Sequence, residues 1–318
     1  MTFLTPHLPF PNNAPLPPPA SHLIISDTVN SPAYFALYHL LAAALGGKEE
    51  RERRGRKVVW VDLRGEGRGS LESVMKKIGT PLPPTTSPKF IHLAPSSLPH
   101  TIPVPPGTPR LFDKAGRPSL RGVYDKVGAY LRGGEGEGEG GGGGGKGVGE
   151  GVVVILDGLG GLVDMGMGVD EVVRFVRAVY SQVRKVRLPP SPSSPHCILL
   201  KLKLTPAKKS GSILTTTLHT DSLPLPSPSP APYTPGADVR LLEGLMRVGA
   251  GCWWRVSHLG SGRSGDVGGE ISVHPFGDLR GQGGEGEWME VGRGKPVQYR
   301  LETGSVRVFA KGTGRGFL

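Results

Sequence analysis

Val152-Val153-Val154-Ile155-Leu156-Asp157 decides the fold. Five consecutive apolar residues, four of them β-branched, leave no polar face, because successive side chains on a strand point to opposite sides of the sheet. A strand apolar on both sides is buried on both sides, which is the signature of a parallel sheet covered by helices. The run stops on an acid, and ligands of open α/β sheets sit just outside the carboxyl ends of the strands. Asp157 is therefore placed either to organise magnesium beside a nucleotide or to be the polar end of a buried strand in a fold without hydrolysis.

On either side of this run, strand and helix patterns alternate. His22–Ile25 reads as the first strand, followed by Ser31 as helix cap, Pro32 at the first helical position and the alanine-rich run Ala33–Leu45. Lys57–Leu63 and Lys89–Leu93 read as strands, with a short helix Ser70–Ile78 between them and a further helix Ser119–Leu131. Val169–Arg187 has apolar residues at helical spacing, acids Asp170 and Glu171 at its start, and Arg184, Lys185 and Arg187 at its end. That distribution complements the helix dipole, with phosphate contact as the other explanation of the basic end. Cys197–Leu204 and Ser212–His219 read as strands, Val239–Val248 as a helix, and Gly251–Leu259, Glu270–Pro275, Val297–Leu301 and Ser305–Ala310 as strands closing on a hairpin near Thr303-Gly304.

A phosphate loop needs backbone N–H groups at a glycine turn, a lysine for the phosphates and a hydroxyl for magnesium. After the first strand stands Ser26-Asp27-Thr28-Val29-Asn30-Ser31-Pro32, with neither Gly nor Lys. Gly140–Lys146 satisfies the spacing of a phosphate loop, but Gly147 replaces the hydroxyl and a strand follows where a helix should. Gly260-Ser261-Gly262-Arg263-Ser264-Gly265 fits a dinucleotide fingerprint in spacing only; it too precedes a strand and reads as a hairpin loop. The His residues have no paired metal spacing, and no nucleophile–base order emerges, so the sequence offers no catalytic set and no metal site. The expected class is α/β, with a mostly parallel sheet, flanking helices and a C-terminal antiparallel hairpin, in the manner of a RecA-like P-loop NTPase that lacks a functional Walker A motif.

Glycine and proline, at 50 and 32 of 318 residues, reach the level of low-complexity sequence. Residues 1–20 are expected to be a proline-rich disordered N-terminus, and 21–318 one domain with biased insertions at about 133–151 and 221–236. The formal charge of +11 fits an anionic partner such as RNA and equally a merely basic soluble protein. Cys197 and Cys252 read as buried thiols of an intracellular protein. The N-terminal stretch has neither the charged nor the apolar region of a secretory signal, and no apolar run is long enough for a membrane span. Lys208 and Lys209 lie in a turn that reads either as a loop facing a ring channel or as a solvated charge pair.

Three segments in this order, His22-Leu23-Ile24-Ile25-Ser26-Asp27, then Leu156-Asp157-Gly158-Leu159 with Met165-Gly166-Met167-Gly168, then Gln298-Tyr299-Arg300-Leu301 with Val308-Phe309-Ala310-Lys311-Gly312, resemble the Elongator complex protein 6 family. The resemblance spans most of the chain. It implies a RecA-like subunit without nucleotide chemistry or cofactor, in a hetero-hexameric ring with Elongator complex proteins 4 and 5. Such a ring is accessory to the catalytic Elongator subcomplex, which modifies the wobble uridine of tRNA in the cytoplasm and nucleus. Lys208 and Lys209 become the candidate tRNA contacts, and Asp157 the degenerate Walker B-like position. The Gly/Glu tract and the two proline-rich insertions depart from the family pattern. The alternative is a divergent RecA- or KaiC-like ATPase that completes its nucleotide site with a neighbouring subunit.

Overall fold

The computed structural model describes residues 10, 14–46, 56–132, 151–185, 212–221, 235–259, 267–277, 296–302 and 305–310. Its first half alternates β1 (His22–Asp27), α1 (Tyr34–Leu45), β2 (Lys57–Asp62), α2 (Gly67–Lys77), β3 (Phe90–Leu93), α3 (Arg121–Leu131) and β4 (Val152–Asp157). There follow α4 (Leu159–Asp164), α5 (Val169–Lys185), β5 (Ile213–His219), α6 (Ala237–Met246), β6 (Gly251–Ser257), β7 (Gly269–Phe276), β8 (Val297–Glu302) and β9 (Ser305–Ala310). The expected strand Cys197–Leu204 lies outside the described residues, and the strand read at Ser212–His219 is β5. The short helix α4 was not legible, because Leu159–Asp164 is too brief to develop a period.

The nine described strands form one sheet in the order β3-β2-β4-β5-β1-β6-β7-β8-β9. Pairing is parallel from β3 through to β6 and antiparallel from β6 to β9, so the expected α/β class with a closing antiparallel hairpin is what the chain adopts. β5 is inserted between β1 and β4. The glycine-rich stretch 260–265 lies outside the described residues; β6 before it and β7 after it pair antiparallel.

The sheet is covered on both faces, and β4 explains how. Val153 and Ile155 join the core under α1 and α2, with Val58, Trp60, Leu37, Leu41 and Met75. Val154 and Leu156 face the opposite core, formed with Val127 of α3, Leu162 of α4, Val176 of α5 and Leu241 of α6. The tryptophan pair divides the same way. Trp254 is buried with the first core, and Trp253 turns the other way with its indole N–H donating to the Ser26 hydroxyl at 2.8 Å. Two residues of the proline-rich N-terminal stretch join the first core: Phe10 stacks on Trp254 at 5.5 Å between ring centroids, and Leu16 is buried there.

The start of α1 also differs from the sequence reading. Ser31 does not cap it; the helix begins at Tyr34, and the Ala33 N–H is taken by the Asp27 carboxylate at 2.8 Å. An aspartate already held at a strand end supplies the acceptor that a local serine would otherwise provide.

Gly251 is held by close backbone approach. A Cβ there would stand 1.7 Å from the His22 carbonyl oxygen, inside the β1–β6 pairing. Gly251→Ala is expected to lose about 3 kcal/mol or more of stability by overpacking a strand register that cannot shift, read as a lower urea midpoint.

Candidate functional site

The register of the parallel strands brings one polar residue after another to the carboxyl edge of the sheet. Asp62 stands opposite Asp157 where β2 pairs with β4, and Asp27 stands opposite His219 where β1 pairs with β5. Thr217 of β5 lies between, its hydroxyl donating to Asp157 Oδ1 at 2.7 Å and accepting the Gly158 N–H at 2.7 Å. All three aspartates are buried. Like charges gathered in a low dielectric need a counter-charge.

Arg64 supplies it. Leaving β2, the chain places the guanidinium over the edge, with Nε donating to Asp157 Oδ1 at 2.9 Å. Nη1 reaches the Tyr34 hydroxyl at 3.0 Å and His219 Nε2 at 3.1 Å, and Cζ lies 4.7 Å from the centre of the Tyr34 ring. Tyr34 in turn donates to Glu66. Burial raises the Asp157 carboxyl above its ordinary value, opposed by the Arg64 charge and the Thr217 hydroxyl. Burial works to lower Arg64, but the adjoining Asp157 carboxylate prevails and its net shift is upward. Gly158, in a left-handed turn at φ +90, makes room for this: a Cβ there would lie 2.4 Å from Arg64 Cγ.

The two outer aspartates organise loops. Burial would raise Asp62, yet a hydrogen bond with His92 and the N–H groups of Gly67 and Gly65 hold it at about 2. Asp27 Oδ1 lies 2.6 Å from His219 Nδ1 while its other oxygen receives the Ala33 N–H. The hydrogen bond to Asp27 raises the His219 pKa, against burial and the Arg64 charge. His219 Nε2 accepts from Arg64 only while it carries no proton.

The segment where a phosphate loop would stand is a closed turn. Thr28 and Ser31 bridge, with the Ser31 N–H on the Thr28 carbonyl at 2.9 Å. The Val29 N–H is held by Asp221 at 3.1 Å and the Ala33 N–H by Asp27. The amides of Val29, Ser31 and Ala33 are therefore committed to groups of the chain itself, two of them to carboxylates that would repel an anion. Asp157, the candidate magnesium organiser, is committed to Arg64 and Thr217. The residues present do not fit a magnesium nucleotide.

Of the residues singled out in the sequence, Asp157 takes its place at this edge, while Lys208 and Lys209 lie outside the described residues. Arg64, Asp27, Asp62, Thr217 and His219 were missed. A signal for the aspartates was present, since the strands His22–Asp27, Lys57–Asp62 and Val152–Asp157 each end on one. Among the described residues no group of His, Cys, Asp and Glu is arranged to hold a metal, and no helix is long and apolar enough to cross a membrane. Cys252 is buried and its thiol is pushed up to about 12 by that burial. Cys197 lies outside the described residues.

No family model matches the chain. No curated protein matches it either. Solved structures similar to it include a KaiC-like protein from the hyperthermophilic archaeon Pyrococcus horikoshii OT3, at 8% identity and TM-score 0.45 over 92% of this chain and 91% of that one. Another is the flagellar accessory protein FlaH from Methanocaldococcus jannaschii, at 11% identity and TM-score 0.44 over 92% and 90%.

Two outcomes follow from the edge. Arg64→Met leaves Asp157 buried without its partner and is expected to cost about 3 kcal/mol at neutral pH. Because the orphaned carboxyl titrates above its unfolded value, the native state binds the extra proton, so the deficit shrinks as pH falls; urea melts at pH 7 and pH 5 check both parts. For His219 the native pKa lies above the unfolded one, so its contribution is present below about pH 6.5 and fades as pH rises through the native value. The stability difference between the native chain and His219→Gln is expected to be larger at pH 6 than at pH 9, and equal differences would refute the Asp27 contact.

Proposed function

We propose that this chain is a non-catalytic RecA-like subunit of a larger assembly, of the Elongator complex protein 6 kind, working in a hetero-hexameric ring with Elongator complex proteins 4 and 5 that binds tRNA and assists wobble-uridine modification by the catalytic Elongator subcomplex. The observation that carries the reading is the closed turn at residues 28–31 under the Arg64–Asp157 pair, where an ATPase of this architecture would need free amides and a free aspartate. The same observation speaks against a nucleotide site completed by a neighbour, since a neighbour can add groups but does not free the committed amides. The charge of +11 supports an anionic partner. A basic adaptor acting without a ring is the competing class, and assembly separates the two.

Co-expression with Elongator complex proteins 4 and 5 is expected to yield a six-subunit complex by native mass measurement that binds tRNA, and a chain that stays monomeric beside both overturns the reading. Magnesium ATP is expected to leave the melting temperature of the isolated chain unchanged. Reversing Lys208 and Lys209 to glutamate is expected to reduce the salt slope of tRNA binding by the ring by about 2, one for each phosphate no longer neutralised, without preventing assembly.

A further inference from the structure

The exposed side of α5 is basic along most of its length. After Asp170 and Glu171 in the first turn, its exposed residues are Arg174, Arg177, Ser181, Arg184 and Lys185. The helix dipole accounts for cations in the last turn only, and Arg174 and Arg177 lie before that turn. Arg174 donates to the backbone carbonyl of Asp170 at 3.2 Å, and Arg184 lies 5.9 Å from the centre of the Tyr180 ring. Among the described residues none of these four cations has a carboxylate partner.

The neighbouring helices extend the stripe. A Cβ on Gly244 of α6 would stand 2.5 Å from the Val173 side chain, which sets the ridge of α6 that faces α5. Arg240 and Arg247, four residues before and three after Gly244, share that ridge and are exposed; Arg177 follows Val173 by one turn on α5. Arg177, Arg240 and Arg247 are thus exposed near the α5–α6 contact, with Glu243 the acid among them. On the other flank, a Cβ on Gly128 of α3 would meet both Gln182 of α5 and the Arg132 guanidinium, so Arg132 continues the band.

We propose that this α3–α5–α6 face is a docking surface for the phosphate backbone of a nucleic acid. Arginine dominates it, and the guanidinium fork matches phosphate oxygens in pairs. Arg174 and Arg184 stand about 15 Å apart along the helix, a span over which a duplex carries about nine phosphates. Among the described residues no aromatic ring is exposed on the stripe for base stacking, so contact is to the backbone and insensitive to sequence. The apolar side of α5 is consumed by the core, which leaves nothing to insert into a lipid surface. The face deepens the tRNA-binding part of the reading above and needs no ring.

The test is fluorescence anisotropy on the full chain with a labelled RNA hairpin and a DNA duplex of equal length, between 50 and 200 mM salt. The triple variant Arg174→Gln, Arg177→Gln, Arg184→Gln keeps good helix formers at exposed positions, so circular dichroism and melting temperature are expected to match the native chain. It is expected to bind about 10-fold more weakly or worse, with a salt slope shallower by about 3, near 0.9 for each phosphate neutralised. Glu243→Gln is expected to tighten binding, a gain that damaged folding does not produce. Binding unchanged in the triple variant, no binding by the native chain, or polyglutamate or anionic vesicles bound as tightly as RNA each overturns the proposal. Ring assembly by mass, measured on the same triple variant, separates the two readings: a ring that forms with an unaltered slope refutes the face alone, and a face that behaves as expected without a ring refutes the ring alone.

Discussion

The guanidinium of Arg64 is the constraint on which the carboxyl edge of the sheet depends. Three strands end on aspartates at the carboxyl edge, and Arg64 is the half-buried cation beside them. Its hydrogen bonds reach β4, β5 and α1 at once, through Asp157, Thr217, His219 and Tyr34. A pair of this kind is weak evidence for net stability, because desolvating both ions offsets much of their attraction. Its consequence is geometric. With the guanidinium in place, Asp157 Oδ1 is taken by Arg64 Nε and the Thr217 hydroxyl.

The loop after β1 completes the closure by local means. A phosphate cradle presents unpaired N–H groups to a ligand, a state that costs free energy unless the ligand arrives. Here Thr28, Asp27 and Asp221 satisfy those groups internally. The opposite distribution holds on the α3–α5–α6 face, where the cations of α5 stand in solvent with no carboxylate partner among the described residues, so free positive potential gathers there rather than at the strand ends.

Much of this architecture was legible because buried parallel strands and long helices have strong periods. Val152–Asp157 and Val169–Lys185 could hardly be read otherwise. The short α4 escaped for want of length. The capping of α1 was misread because serine before proline is a strong local signal, whereas the acceptor in the structure comes from Asp27, six residues away across a turn. The packing of Phe10 on Trp254 joins residues too distant for any pattern to link. At the site, Asp157 was recognisable from its place at a strand end, but Arg64 follows β2 in a stretch without motif, and nothing in its neighbours names Asp157 as its partner.

The sequence by itself determined the class of fold, the position of the acid after the central strand, and the want of glycine and lysine where a phosphate loop would be, since these follow from side-chain alternation and residue chemistry at fixed spacing. Only the tertiary structure decided that β5 separates β1 from β4, that Asp27, Asp62 and Asp157 come to one edge where Arg64 pairs with Asp157, and that α6 packs on α5 at Gly244 and Val173. Each of those depends on which strands and helices become neighbours, and neighbourhood is set by burying two apolar cores at once, a condition on the whole chain that no local stretch contains.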